Sequence, residues 1–249
     1  MDQFEILYED EDLLVANKLA PLPVQKEKTK DPSLQELLSG SGSGRHFLEA
    51  AHRIDRRASG AVLFAKTSKS LTTIEAAFRQ RKVEKEYLAC VEREPVPAEG
   101  KLEHNLVWDR RRNIVRALPL GPGSQEVVAS DRAVPSVGTG AGTPKGSKAT
   151  ETERALLEYR LVGRSERYFF VAVDLITGRH HQIRAQFSAS GFPIRGDLKY
   201  GAKRSCPNGL IMLHARKLAF AQPRTGARIE VIAPFPASEP LWAVLAAED

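Results

Sequence analysis

The chain has 249 residues, 42% hydrophobic and 27% charged, so it is long enough to bury a sizeable core in one large domain or two small ones. Its 37 Lys and Arg residues outnumber its 31 Asp and Glu residues, and the net charge of +6 mildly favours a nucleic acid or another anionic partner. The chain has two cysteines, which are too few for a disulfide framework. Neither has a Cys or His at metal-ligand spacing, which argues against a zinc site. No apolar run approaches the ~18 residues of a membrane helix.

The N-terminal stretch MDQFEILYEDEDLLVANK predicts two short strands, FEILYE and LLVANK, around the acidic turn EDED. This stretch is acidic and alternates apolar with polar residues, unlike the basic and apolar sequence of a signal peptide. We therefore expect a cytoplasmic protein that does not contact membranes. A helix is predicted to open at residues 31–34, with Asp31 as its N-cap and Pro32 as its first residue. SGSGSG at 39–44 predicts a flexible linker, since it lacks the Lys-Ser/Thr ending of a phosphate-binding loop.

The middle of the chain predicts a strand in ASGAVLFAKT, an amphipathic helix over 68–82, and a strand in KEYLACV on which Tyr87 and Ala89 share a face. From about 118 to 150 the sequence is rich in Gly, Ser, Pro and Thr and poor in large apolar residues. This composition indicates a long surface insertion, with a short hairpin at QEVVAS and poor order near 139–146, rather than a separate domain.

The remaining sequence predicts two antiparallel strands over 155–161 and 168–175, a short helix over 180–190, and strands in IMLHARKLAFAQP and ARIEVIAPFP. Short strands predominate over short helices, without strict βαβ alternation. The pattern therefore predicts an α+β fold with a mixed, mainly antiparallel central sheet flanked by short helices and loops. We expect residues 1–249 to form a single domain that carries the 118–150 insertion.

The stretch HRIDRRASG, residues 52–60, places one carboxylate, Asp55, among three arginines and a histidine. A surface ion-pair cluster, contributing about 0–1 kcal/mol, would produce the same pattern. Alternatively, Asp55 is a carboxylate that must stay ionised as a nucleophile inside a groove for a polyanion, because nearby cations favour the charged form. The stretch alone favours the ion-pair interpretation, since structural ion pairs are commoner than active sites.

Three further stretches carry candidate functional residues: KEYLA with Tyr87, TGRHHQIR with Arg184, and LHAR with Leu213. Taken singly, each has an ordinary structural interpretation, with Tyr87 and Leu213 in the core and Arg184 near helix carbonyls. His180 and His181 are adjacent, so we expect their side chains to point to different sides and to make a poor metal pair.

Together these stretches resemble the RluA-type family of RNA pseudouridine synthases. HRIDRRASGAVLFAKT is similar to the family's HRLDxxTSGLLLxAKT, and KEYLACV to K-x-Y-x-A-x-V. TGRHHQIRAQFSASGFPIRGDLKYG is similar to TGRxHQIRxHLxxxGxPIxGDxxYG, and LHARKLAFAQPRTG to LHAxxLxFxHPxTG. Four motifs in the right order, covering nearly the whole chain, are a specific signal. The chain departs from the family with Ala58 and His180, where Thr is usual, and with Arg195, where the family has an apolar residue.

The resemblance implies a pseudouridine synthase fold and an isomerase that acts on uridine in ribosomal or transfer RNA. In that reaction the C1′–N1 bond breaks, the base turns, and it rejoins the sugar through C5. Asp55 would be the essential carboxylate, acting at C1′ or as a base on the sugar, and both routes stay open. Arg184 would pair with Asp55, while Tyr87 would stack on the uracil and Leu213 would pack against it. The RNA phosphates would be bound by Arg53, Arg56, Arg57 and Arg179.

The resemblance implies no cofactor and no metal, because the isomerisation conserves every atom of the uridine. The resemblance begins at about residue 4, so we expect the chain to lack the small RNA-binding domain that precedes the catalytic domain in many relatives. We also expect a monomer. A non-catalytic RNA-binding or ribosome-assembly protein that kept the fold is the main alternative, and the combination of Asp55, Tyr87 and Arg184 argues against it. A glycoside hydrolase would generally require a second acid, which the Asp55 motif lacks.

Overall fold

The computed structural model describes residues 3–29, 31–41, 47–120 and 152–246. These ranges contain eleven strands and four α-helices. The strands are β1 Phe4–Glu9, β2 Leu13–Lys18, β3 Glu49–Ala50, β4 Ser59–Ala65, β5 Glu84–Val91, β6 Glu99–Asp109, β7 Ile114–Leu118, β8 Thr152–Arg164, β9 Phe169–Leu175, β10 Leu213–Ala221 and β11 Arg228–Ile232. The helices are α1 Leu34–Ser41, α2 Ser68–Arg79, α3 Gln182–Ala189 and α4 Ala243–Ala246. No helix among these residues has the length and apolar character that a membrane crossing requires.

All the described strands belong to one sheet. Its strands run in the order β1-β2-β4-β10-β5-β9-β8-β6-β7, with β11 beside β10 and β3 beside β4. Only the pairing of β4 with β10 is parallel among these described strands, and it joins Ser59 to His214 and Gly60 to Ala215. The predicted mainly antiparallel α+β fold is confirmed. The topology brings β4, β5 and β10, which lie far apart in sequence, together at the middle of the sheet.

The central strands are buried on both faces, which explains their continuous apolar runs. On β2 and β4, Leu14 and Phe64 face the larger core, which also holds Phe170 and Phe187. The alternate residues of the same two strands, including Leu63, face a second core beneath α2. Burial on both faces holds these strands in place, so the loop that enters β4 has a rigid support.

Most of the predicted strands and helices are confirmed, with ends that differ by a few residues. Strands β6 and β7 were not predicted, because most of their residues are half-buried or exposed and their apolar alternation is weak. The structure extends the predicted strand over 155–161 to Thr152–Arg164, since its pairing with β6 continues as far as Val107. The predicted hairpin at QEVVAS and the expected poor order near 139–146 lie outside the described residues.

The predicted start of α1 is wrong. Ser33 caps this helix: its Oγ accepts a hydrogen bond from the backbone N–H of Glu36 at 3.2 Å, and the Glu36 carboxylate accepts one from the Ser33 N–H at 2.9 Å. Asp31 instead forms an ion pair with Arg56. The helix also continues to Ser41, so the first part of the predicted 39–44 linker is helical, and residues 42–46 lie outside the described ranges.

Gly60 lies where β4 pairs with β10, with a φ of +115°, and a Cβ built there would lie 2.3 Å from the Ala215 carbonyl oxygen. We expect Gly60→Ala to lower the free energy of unfolding by about 3 kcal/mol or more, because backbone strain adds to a clash with buried backbone. Gly191→Ala is the matched control: its φ is +88° but nothing lies within 4 Å of its Cβ, so only strain of about 1–2 kcal/mol applies. Equal losses in chemical denaturation would contradict the close approach of β4 and β10.

Candidate active site

Asp55 lies in the tight turn that leads into β4. Its backbone carbonyl accepts a hydrogen bond from the Ala58 N–H at 3.0 Å, and its side chain is 17% exposed. The turn is also held from β2, where the fully buried Lys18 directs its Nζ to the carbonyl oxygens of Ala58 at 2.6 Å and Arg56 at 3.2 Å. The carboxylate therefore projects from a backbone that is tied to the centre of the sheet.

Arg184 reaches Asp55 from α3, which is 129 residues further along the chain. Its Nη1 donates to Asp55 Oδ2 at 3.1 Å, while Nε and Nη2 donate to the two carboxylate oxygens of Asp197 at 2.6 and 2.8 Å. Arg184 is 4% exposed and Asp197 is completely buried. Burial lowers the pKa of Arg184, but the bonds to Asp197 and the charge on Asp55 outweigh it and raise that pKa, so the guanidinium stays charged. Asp197 thus fixes the orientation in which Arg184 meets Asp55.

Tyr87 and Leu213 form an apolar patch on the sheet, and Tyr87 lies near enough to Asp55 for that charge to act on it. They lie on the neighbouring strands β5 and β10, where Tyr87 is paired with Ala215 and Leu213 with Ala89. This register places both side chains on one face of the sheet, and they are 7% and 4% exposed. Burial, together with the charge on Asp55, raises the pKa of Tyr87, so its phenol keeps its proton at neutral pH.

The two adjacent histidines are stacked, and the expectation that they point to different sides is wrong. Their ring centroids lie 3.9 Å apart, because His181 adopts a left-handed backbone with φ of +53° just before α3. His181 Nδ1 lies 2.8 Å from Tyr200 Oη, and His181 Nε2 lies 3.7 Å from Asp55 Oδ1. Burial lowers the pKa of His181 to about 3 and also lowers that of His180, so both rings are neutral at pH 7.

Asp55, His180 and His181 each offer one potential metal-ligand atom, and these atoms lie within 4.8 Å of one another. The Arg184 guanidinium already occupies one oxygen of the carboxylate at 3.1 Å. A cation bound between the three side chains would be repelled by that fixed positive charge. The arrangement is therefore better suited to an anionic or neutral substrate than to a metal ion.

The cations of HRIDRRASG do not contact Asp55. Arg53 is exposed, and Arg56 turns away to Asp31 and Glu27. His52 is half-buried, and its Nε2 accepts a hydrogen bond from the Leu63 N–H at 3.1 Å. Arg179, predicted to bind phosphate, forms an ion pair with Glu153 at 3.1 Å. The positive partner of Asp55 is thus Arg184, which is remote in sequence.

Three residues of this arrangement were not singled out from the sequence: Lys18, Asp197 and Tyr200. Asp197 and Tyr200 lie in GDLKYG, inside a stretch that resembles a family motif, and that position was the available signal for them. Lys18 is the last residue of the predicted strand LLVANK. Their contacts depend on the fold, because no periodicity predicts a bond from β2 to the Asp55 turn or from α3 to GDLKYG.

Lys18 makes the stability of the protein depend on pH. Burial lowers its pKa from 10.5 to about 7 in the folded chain, although the charge on Asp55 opposes this effect. Below about pH 7 both folded and unfolded chains bind the proton, whereas between about pH 7 and pH 10 only the unfolded chain does, so this residue makes stability rise with pH in that window. We expect the free energy of unfolding to increase more from about pH 6 to about pH 9 in the wild type than in Lys18→Met. Equal increases would show that the amine is not buried in its charged form at low pH.

The sequence and the fold both match known proteins. The family model for RNA pseudouridylate synthase matches residues 12–189, a range that contains Asp55, Tyr87 and Arg184. The chain belongs to the RNA pseudouridylate synthase family. The resemblance seen in the sequence motifs is therefore confirmed.

Individual relatives agree with this assignment. Ribosomal large subunit pseudouridine synthase C of Vibrio vulnificus (strain CMCP6) is 32% identical over 235 residues, which cover 92% of this chain and 65% of that protein. The chain thus spans just under two thirds of that relative's length. tRNA pseudouridine synthase C of Haemophilus ducreyi (strain 35000HP / ATCC 700724) is 30% identical, covering 93% of this chain and 90% of that protein. The structure of human RNA pseudouridylate synthase domain containing 1 matches with a TM-score of 0.70 at 23% identity, over 96% of this chain and 85% of that one, which confirms the predicted fold.

Proposed function

We propose that this protein isomerises uridine to pseudouridine in RNA. The observation that carries the proposal is the pairing of Asp55 with the buried Arg184 at 3.1 Å, together with the apolar patch of Tyr87 and Leu213, in a chain of this family. In the reaction the C1′–N1 bond breaks, N1 gains a proton, C1′ bonds to C5, and the proton on C5 leaves to solvent. The base keeps all its heavy atoms and its overall composition, so we propose that no cofactor or metal takes part.

Each of the four residues has a role that its environment supports. Asp55 acts as a carboxylate, at C1′ or as a base on the sugar, and Arg184 orients it through a charge-assisted hydrogen bond. Tyr87 offers a neutral ring on which uracil stacks, and Leu213 closes the apolar wall. A uridine inside folded RNA must first leave its stack, at a cost of a few kcal/mol that contacts elsewhere on the RNA must offset.

We propose that ribosomal or transfer RNA is the substrate, since relatives at about one-third identity carry those names. We further propose that the protein works as a monomer in the cytoplasm and that residues 1–249 act as one catalytic domain. The insertion predicted at 118–150 lies between β7 and β8, and both strands pair with β6 in the same sheet. That continuity supports one domain rather than two.

Tritium release from RNA labelled at C5 of uridine tests the proposed activity, because C5 loses its hydrogen when it bonds to C1′. Transcripts of ribosomal and transfer RNA should release tritium with the wild type. RNA that binds tightly without release would contradict the isomerase and would favour a binding protein that kept the fold.

Arg53, Arg56 and Arg179 are proposed to contact RNA phosphates. Arg56 and Arg179 must exchange their carboxylate partners to do so, and exposed ion pairs of about 0–1 kcal/mol permit this exchange. We expect Arg56→Gln with Arg179→Gln to weaken RNA binding and to make the slope of log affinity against log salt shallower by about 0.7–0.9 for each lost contact. An unchanged slope together with a lower melting temperature would instead show that the two arginines serve only the fold.

A further inference from the structure

The hairpin of β6 and β7 carries three consecutive arginines at its tip. Asp109 is paired with Ile114, so the turn between them is formed by residues 110–113. Asp109 Oδ1 accepts hydrogen bonds from the backbone N–H groups of Arg111 and Arg112, each at 3.1 Å, which orders the turn through its own backbone. The turn therefore presents the side chains of Arg110, Arg111 and Arg112 to solvent, and all three are exposed.

These arginines differ from many others on the surface. Elsewhere, Arg160 pairs with Glu86 at 2.9 Å and Arg228 with Glu84 at 2.7 Å. In the part of the chain that the structure describes, no carboxylate lies within ion-pair distance of the side chains of Arg110, Arg111 or Arg112. Three exposed arginines on one turn, without an ion pair to a described carboxylate, attract a polyanion more strongly than the modest net charge of the whole chain does.

An exposed aromatic ring joins this turn to Asp55. Trp108, at the end of β6, is 39% exposed, and its ring centroid lies 5.1 Å from that of His180. His180 stacks on His181, whose Nε2 lies 3.7 Å from Asp55 Oδ1. Three rings in succession thus extend from the catalytic carboxylate to the hairpin. Trp108 is tilted by 44° from His180, so its ring is in contact with the histidine and still exposes a face. Exposed aromatic side chains beside exposed arginines are what proteins use to hold the bases and phosphates of single-stranded nucleic acid.

The hairpin is fixed to the active site by contacts close to its turn. The Val115 N–H donates to Tyr200 Oη at 2.9 Å, and the same oxygen lies 2.8 Å from His181 Nδ1. The Arg184 guanidinium lies 4.7 Å from the centroid of the Tyr200 ring. Leu106 and Val115 also belong to a small core that includes Ala185 of α3 and Tyr200. The distance between Trp108 and Asp55 is therefore set by packed structure.

We propose that Trp108 and His180 bind a nucleobase adjacent to the target uridine in single-stranded RNA, and that Arg110, Arg111 and Arg112 hold the phosphates beside it. That the nucleotide at Asp55 is a uridine rests on the proposed function, whereas the stacking site is inferred from the geometry of the hairpin. Base stacking is tolerant of sequence because every base has a π-face. The hairpin thus contributes affinity for an unpaired strand, while recognition of the uridine belongs to the Asp55 pocket.

Tryptophan fluorescence tests the stacking directly, because the chain has two tryptophans and Trp242 is only 3% exposed. In an Asp55→Asn background, which prevents turnover, a short oligouridylate should quench the fluorescence, and this quenching should disappear in Trp108→Phe. Trp108→Ala should weaken binding of the labelled oligouridylate by about ten-fold. Binding seen by anisotropy without quenching, or quenching that persists in Trp108→Phe, would overturn the stacking site.

Replacing Arg110, Arg111 and Arg112 with Gln should make the salt slope shallower by about 2, at about 0.7 per phosphate of single-stranded RNA. The matched control replaces three other exposed arginines, Arg164, Arg167 and Arg228, and so removes the same total charge. Arg164 is the last residue of β8, whereas the first residues of that strand pair with β6 near Trp108. Equal slopes in the two triple variants would overturn the phosphate contacts. Quenching without tritium release from any RNA would support the hairpin site and contradict the proposed isomerase. Tritium release without quenching would support the isomerase and contradict the hairpin site. No RNA binding at all would overturn both.

Discussion

We expect Asp55→Asn to abolish tritium release from C5-labelled RNA, a loss of at least about 10⁴-fold, while the variant keeps its fold and binds RNA. Asparagine has nearly the same volume and keeps an oxygen that accepts the Arg184 Nη1 bond, so packing and orientation change little. It lacks the negative charge that either route at the sugar requires. The loss therefore measures the chemistry of the carboxylate rather than its structural contacts.

Asp174→Asn is the matched control for this result. It removes the same charge from an exposed carboxylate on β9, whose side chain is 55% exposed. We expect near wild-type turnover from this control and unchanged melting temperatures in both variants. Wild-type release by Asp55→Asn would remove Asp55 from the mechanism.

We expect Arg184→Met to lower the free energy of unfolding by about 3–5 kcal/mol and also to abolish turnover. The arginine is 4% exposed and bonds two carboxylates, so its removal leaves Asp197, which is completely buried, without a positive partner. An unpaired buried charge is more costly than the loss of the ion pair as a whole. Chemical denaturation measures the first effect and tritium release the second.

Arg184→Met combined with Asp197→Leu separates the two effects. Replacing both members of the buried pair with apolar groups of similar size should restore most of the lost stability. Turnover should stay abolished, because Asp55 still lacks the group that orients it. Recovery of turnover in the double variant would show that Arg184 acts only through the fold.

Much of the fold was predictable because the central strands are short, apolar and bounded by polar turns. The runs LLVANK and GAVLFA predict β2 and β4 correctly, since burial on both faces leaves little room for polar residues. Strands β6 and β7 were not predicted, because their residues are largely half-buried or exposed and give no clear apolar pattern. Pairing with β8, rather than their own apolar content, keeps β6 in the sheet.

The site was predictable as a set of residues but not as a set of contacts. Local sequence surrounds Asp55 with Arg53, Arg56 and Arg57, yet the cation that touches it comes from α3. The turn directs Arg56 to acids near α1, and only the folding of the sheet brings Arg184 within 3.1 Å. The stack of His180 on His181 likewise depends on a left-handed residue at position 181, which no residue type in that stretch predicts.

We propose that the Asp55 carboxylate is required to make pseudouridine at a defined place in RNA. Mapping pseudouridine at nucleotide resolution, in ribosomal and transfer RNA transcripts incubated with wild type or Asp55→Asn, tests it most directly. We expect one or a few uridines to be converted by the wild type and none by Asp55→Asn, with equal binding of the same RNA. RNA that binds the wild type and contains no pseudouridine, or equal conversion by the two proteins, would contradict it.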